Sequence, residues 1–255
     1  MAYKLIFSLI ILLLLNACDD IARDNLLDPK NPDSFSRPVI LIEAFVNTEV
    51  EYSDWAVQGL SNLAAIYGED IVIAEYHRDL DGNNDPYDDS TTVEKFKNLH
   101  TKYVGQNPIQ RAIPDVFING ADNRIPGASD ANSVNEQASG IVENLLTQKN
   151  YYRIEPAIES NGGDISVSCR IARLGNESAE GLKLRLIFIK DYQQQYLNRV
   201  VMDMTLAEQV PDIERGGYEE IDLGSFSLGS APTSVITALL STDERTVLQC
   251  VKQDI

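Results

Sequence analysis

The side chains able to do chemistry are few and unevenly placed. The segment Asp79-Leu80-Asp81-Gly82-Asn83-Asn84-Asp85 alternates oxygen-bearing residues around a glycine turn. Calcium takes about six to eight oxygen ligands from flexible loops, which makes Asp79, Asp81 and Asp85 candidate ligands. The EF-hand spacing and its closing glutamate are missing, and the same residue types build ordinary acidic turns. His77 and His100 are the only histidines. His77 closes an apolar run, where an imidazole could act as ligand or base, or simply finish a strand with a hydrogen bond. His100 falls on an amphipathic stretch and reads as structural. Two histidines without designated partners do not make a zinc site. No Gly-x-Ser-x-Gly elbow and no Gly-rich phosphate loop occurs, so neither serine hydrolysis nor nucleotide binding has a motif to rest on.

The three cysteines are Cys18, Cys169 and Cys250, with no Cys-x-x-Cys among them. Cys169 shares the apolar face of an alternating run with Val167 and Ile171. A Cys169–Cys250 disulfide is allowed in an oxidising compartment and needs Cα atoms within about 7 Å. Free buried thiols are the alternative, and the apolar setting favours them. Cys18 is different. It follows Leu15-Asn16-Ala17 at the end of the apolar run Leu5–Leu15, with Lys4 ahead of it. That run is too short to span a bilayer, which takes about 20 residues, and has the layout of a cleaved secretory signal. Leu15 to Cys18 resembles the lipobox of bacterial lipoproteins. The resemblance implies a signal peptide over residues 1–17, acyl chains on Cys18, and a lipid-anchored protein of the bacterial cell envelope. It favours the outer membrane over the inner. Each buried CH₂ of an acyl chain contributes about 0.8 kcal/mol, so several chains hold firmly.

Residues 18–37 are rich in Asp, Asn, Pro and Ser and read as an extended tether. The chain carries 21 Lys and Arg against 39 Asp and Glu among 255 residues, a net charge of −18. Such a surface excludes nucleic acid, whose phosphates need basic partners, and excludes docking on anionic lipid through a basic patch. Divalent cations are what it would attract.

The elements that must position these residues begin at Val39. Val39–Phe45 and Ile71–Tyr76 are β-branched apolar runs, predicted as buried strands. Between them Asp54 can cap a helix running to Tyr67, with Val57, Leu60, Ala64 and Tyr67 at helical spacing and Gly68 as its stop. A second helix is predicted over 92–103, with Val93, Phe96, Leu99 and Tyr103 on one face. Asp115–Ile118 is a third strand, Asn119-Gly120 a hairpin turn, and Asn123–Ile125 a fourth strand. A last helix covers about 131–148. The order β-α-β-α-β-β-α implies a right-handed crossover between parallel neighbours, followed by an antiparallel pair.

This order resembles the thioredoxin fold, in which a cis-proline precedes the third strand; Pro114 stands at that point. The likeness extends to a family of thioredoxin-like outer-membrane lipoproteins. The residues that carry it are Glu43-Ala44-Phe45-Val46-Asn47-Thr48, Tyr76-His77, Asp85-Pro86-Tyr87 and Pro114-Asp115-Val116-Phe117-Ile118-Asn119-Gly120. It covers about residues 38–150. Where the family carries Cys-x-x-Cys at the helix start, this chain reads Val50-Glu51-Tyr52-Ser53. Disulfide exchange needs a thiolate of lowered pKa and a second thiol to resolve the mixed disulfide. Val50 and Ser53 supply neither, so the resemblance implies a thioredoxin-like frame without its redox chemistry. Trp55, the only tryptophan, falls in the first turn beside this vacated position.

From about Tyr151 the pattern turns to strands. Ile165–Ile171 and the start of Leu182–Phe188 alternate with period two. Further candidates are Arg199–Thr205, Gly217–Ser227, Thr233–Leu240 and Thr246–Lys252, punctuated by glycines. Short strands without helices predict an immunoglobulin-like β-sandwich over 151–255. Such modules bind or space more often than they catalyse. The expectation is a non-enzymatic, lipid-anchored module with an unidentified protein or glycan partner. An envelope oxidoreductase and a calcium-dependent adhesion or glycan-binding module are the alternatives.

Overall fold

The computed structural model describes residues 28–80, 84–88, 91–105, 112–161 and 164–255. Cys18 and the signal segment lie outside the described residues, as does Asp81. The first half runs β1 (Ile40–Val46), α1 (Glu51–Tyr67), β2 (Ile71–His77), α2 (Val93–Val104), β3 (Asp115–Ile118), β4 (Arg124–Pro126) and α3 (Ala131–Leu146). β1 pairs parallel with β2 and antiparallel with β3, and β3 pairs antiparallel with β4. The element order expected for residues 38–150 is therefore present. α1 begins at Glu51, one turn before the expected Asp54 cap, and Val50 at its N-cap makes no side-chain capping bond. α3 has a regular start: Asp130 accepts the Ser133 N–H.

Strand alternation divides the first half into two faces. Ile40, Ile42, Ala44 and Val46 of β1, with Ile71 and Ile73 of β2, face α1 and α3. Gly59 lets those two helices meet: a Cβ there would stand 2.6 Å from the Ala131 carbonyl oxygen. Leu41 and Phe45 of β1, with Val72, Ala74 and Tyr76 of β2, face the other way, onto α2 and onto strands of the second half.

The second half is all β: β5 (Tyr152–Asn161), β6 (Asp164–Arg173), β7 (Lys183–Lys190), β8 (Val200–Met204), β9 (Glu208–Gln209), β10 (Tyr218–Ser227), β11 (Ser234–Leu240) and β12 (Val247–Asp254). β10-β6-β5 form one sheet. β12-β11-β7-β8 run in the other and continue into β2-β1-β3-β4, with β9 beside β7. The join between β8 and β2 is the parallel pair Glu75–Val200. Ile165, Val167, Cys169 and Ile171 of β6 meet Leu184, Leu186 and Phe188 of β7 inside the sandwich. The opposite face of β7, β11 and β12 is buried as well, through Ile187, Ile189, Ile236, Ala238 and Cys250 packed with Phe45, Phe96 and Phe117. The architecture is α/β plus a β-sandwich, and the two halves share one core.

One expectation needs correction. Residues 28–37 belong to the folded body and are not free tether. Asn31 and Ser34 are buried, Ser36 pairs with Asn150, and Ser36 Oγ donates to the Tyr152 carbonyl at 2.8 Å. Turns at Asp28 and Asn31, closed by their own side-chain oxygens, replace the extended spacer that the prolines implied. Of the two states open to Cys169 and Cys250, the free buried thiols that their apolar setting favoured are the ones present, with no disulfide between them. Cys169 points into the sandwich and Cys250 into the shared core, so β7, β11 and β12 stand between the two sulfurs.

Candidate functional site

Glu75 and His77 lie two residues apart on β2 and therefore project from the same face of the sheet. His77 is 2% exposed, and its Nδ1 lies 3.0 Å from Asp85 Oδ2. Asp85 also accepts the backbone N–H of Thr48 at 2.8 Å and of Tyr87 at 2.9 Å. Burial alone would raise its pKa, but the His77 contacts and these N–H donors outweigh that, and the carboxyl falls below its ordinary value. A carboxylate can only accept, so the His77 Nδ1 carries a proton and donates it to Asp85. Among the described residues neither His77 Nε2 nor Thr48 Oγ1 has a hydrogen-bond partner, and both atoms are fully buried.

Asp79 and Asp85, two of the candidate calcium ligands, serve the loop itself. Asp79 Oδ1 accepts the Asp85 N–H at 2.6 Å, and Asp88 Oδ2 accepts the Asp79 N–H at 2.6 Å. Among the described residues no cluster of three His, Cys, Asp or Glu side chains is arranged to hold a metal ion.

His77 and Thr48 line a cleft of about 370 Å³ together with Ser53, Asp54, Trp55 and Val57 of α1. Val46, Asn47 and Gln58 also line it, and the remaining wall is Gln195, Tyr196 and Leu197 from the loop between β7 and β8. The cleft is thus closed by a segment of the second half. Gln193 and Tyr196 in that loop have φ of 56° and 68°, a left-handed backbone that non-glycine residues rarely adopt. Such residues persist only where the surroundings hold them, and they gather at ligand clamps. The Tyr192 N–H to Leu197 carbonyl bond at 2.9 Å closes the loop, and the Tyr192 ring packs tilted against Tyr87, 4.9 Å between ring centres.

At the start of α1, Val50 is the N-cap and Ser53 is buried with its Oγ accepting the Asn47 N–H at 3.1 Å. The Ile113–Pro114 bond is cis. The remaining thiols offer no substitute. Burial pushes Cys169 up to about 12 and Cys250 further still, so neither forms a thiolate near neutral pH.

His100 is structural, held below Phe45, whose ring stacks at 4.3 Å. Arg78 Nη1 donates to its Nδ1 at 2.9 Å; an arginine cannot accept, so the imidazole proton sits on Nε2 and goes to Asp115 Oδ2 at 2.7 Å. Arg124 grips the same carboxylate with two bonds of 2.7 and 2.8 Å.

No protein-family model matches the sequence, and no curated protein matches it. Among solved structures, HBP35 of Porphyromonas gingivalis is similar, with a TM-score of 0.65 and 11% identity over 86% of this chain and 76% of that one. A protein of Agrobacterium tumefaciens is similar with a TM-score of 0.52 and 16% identity, over 85% of this chain and 95% of that one. At such identities the likeness is one of fold. HBP35 matches across most of both chains, so the combination of an α/β half with a β-sandwich recurs there.

Sequence reasoning singled out His77, Asp85, Trp55 and Ser53 separately; the fold brings His77, Trp55 and Ser53 to one cleft and sets Asp85 behind it, bonded to His77. It did not find the contribution of Gln195, Tyr196 and Leu197. No residue type in that loop announces a site, and only the placement of β8 beside β2 carries it there. Among the described residues no helix is long and apolar enough to cross a membrane.

Proposed function

We propose that the chain is a lipid-anchored protein of the bacterial cell envelope whose thioredoxin-like half has given up disulfide exchange and serves as a binding module. The observation that carries this reading is the start of α1. An isopropyl group at Val50 and a buried, backbone-engaged hydroxyl at Ser53 stand where a nucleophilic and a resolving thiol belong. What the position retains is shape: a cleft walled by Trp55, Tyr196 and Leu197, with the polar side chains of Asp54, Gln58 and Gln195 on its lining. Clefts of this size with a few placed polar groups are the usual form of a ligand site. The strongly acidic chain and the lipobox-like Leu15-Asn16-Ala17-Cys18 support an exported, membrane-tethered setting.

Two measurements test the two parts. Insulin reduction by the full chain should show no turnover above background; robust turnover overturns the redox-inactive reading. Palmitate labelling and membrane fractionation of the full chain and Cys18→Ser should show label and membrane retention lost together in the variant. Retention of both in the variant overturns the anchor.

A further inference from the structure

We propose that the cleft between α1 and the β7–β8 loop binds a neutral sugar, a pyranose whose hydroxyls ring its edge and leave its C–H faces bare. This rests on the binding-module reading and names the ligand chemistry of that site.

What the cleft offers a ligand is side chains. The backbone N–H groups of Asn47, Thr48, Glu49 and Val50, which lead into α1, are spent inside the protein. They go to Ser53 Oγ, Asp85 Oδ2, Asn47 Oδ1 and the Asn47 carbonyl in turn. Among the described residues no lysine or arginine lines the cleft. An anion therefore meets neither a cradle of amides nor a countercharge, and it does meet the exposed carboxylate of Asp54. An extended peptide is held by main-chain bonds along a free strand edge. The strands behind the cleft, β1 and β2, are both interior to the sheet, flanked by β3 and β8.

The uncommitted groups are the amides of Gln58 and Gln195 and the carboxylate of Asp54. All three residues are exposed, and their side chains make no bond among the described residues. Each amide carries both N–H donors and a carbonyl acceptor, which suits a group that gives and takes a hydrogen bond, as every hydroxyl does. Asp54 accepts from a hydroxyl in a charge-assisted bond. Trp55 and Tyr196, both half-buried, line the same cleft with aromatic rings. The face of such a ring is its negative side and attracts the C–H face of a sugar. The left-handed backbone at Tyr196 is held by its surroundings, so that ring is set in place before a ligand arrives. At about 370 Å³ the cleft lies near the lower end of ligand sites, which run from about 300 to 1,000 Å³, and so takes a small sugar or the end of a longer one.

Trp55 is the only tryptophan and lines the cleft, so its fluorescence reports occupancy directly. The experiment titrates the full chain, in a detergent without sugar headgroups, with methyl β-glucoside, methyl β-glucuronide and an end-capped trialanine peptide. The glucoside should give a saturable change, with affinity about tenfold or more above the glucuronide and the peptide. Gln58→Ala and Gln195→Ala, both at exposed positions, should each weaken the glucoside by about threefold to tenfold, the loss of one neutral bond, with the urea midpoint unchanged. Asp54→Asn should narrow the gap between glucoside and glucuronide by removing the like charge. No saturable change with the glucoside, a glucuronide that binds as tightly, a peptide that binds more tightly, or glutamine variants that bind like the wild type overturns the proposal. Saturable binding of the peptide or the glucuronide in place of the glucoside removes the sugar and spares the binding-module reading; turnover of insulin removes the reading itself.

Discussion

Arg185 Nη2 lies 2.8 Å from Glu43 Oε1, across the junction of the two halves and 142 residues away in sequence. The side chains are 2% and 0% exposed. The Tyr76 and Tyr103 hydroxyls donate to the same carboxylate at 2.8 and 2.6 Å. Removing one partner of such a pair strands the other charge without solvent, which costs about 3–5 kcal/mol. Arg185→Met should therefore lower the urea midpoint of the full chain severely. Pairing it with Glu43→Leu should recover a large part of the loss. A single substitution that leaves the midpoint unchanged would mean the pair is open to water.

His100 gives the stability a pH dependence of known sign. Burial lowers its pKa below the ordinary value of 6.5, against the opposing pull of Asp115. Above about pH 6.5 neither folded nor unfolded imidazole is protonated, and the contribution of neutral His100 is complete. As pH falls below that value the unfolded chain takes up a proton first, so stability drops until the depressed folded pKa is reached. Urea unfolding at about pH 7.5 and about pH 5.5 should show a lower midpoint in acid. His100→Gln should start lower, having disturbed Arg78 and Asp115, and fall less. An equal fall in the variant would assign the slope to other groups.

Much of the first half was legible because its strands are continuous β-branched runs. Asp115–Ile118 is a strand with the expected limits, β1 is shifted by one residue at each end, and β2 runs one residue longer. What alternation could not reveal was that the sandwich is covered on both sides. Lys183-x-Arg185 reads as the solvent face of a strand, yet Arg185 is buried because the first half lies over it. The same blindness hid the cleft wall, since a loop between two strands carries no periodicity to say where it lands. β5 went unrecognised as a strand because Arg153, Glu155, Pro156 and Glu159 give it few apolar residues; it earns its place by pairing with β6 along its whole length.

The two described cysteines should behave as core residues. With Cys169 at about 12 and Cys250 higher, native protein should resist a thiol reagent such as Ellman's near pH 8. Denaturation should release both at once, because β7, β11 and β12 separate them while sharing both cores. Rapid labelling of either in the native chain would show local opening of the sandwich.

Gly59 should tolerate no side chain. Alanine is about 1 kcal/mol better than glycine in a helix by propensity. Here its Cβ would meet the Ala131 oxygen at 2.6 Å and Val134 Cβ at 2.9 Å, both fixed by α3. Overpacking of this kind costs about 1–3 kcal/mol, so Gly59→Ala should destabilise by thermal or urea unfolding. A gain in stability would mean α1 and α3 can move apart freely.

The shared core has a consequence for descent. Genes are often built by recombining segments that each fold alone. A joint placed near Asn150 would give one product with Phe45, Phe96 and Phe117 facing water and another with Ile187, Ile236 and Cys250 bare. Neither product would be a usable part. A substitution in either half is therefore judged by the other, since Phe45, Phe96 and Phe117 set the space that the side chains of the last strands must fill.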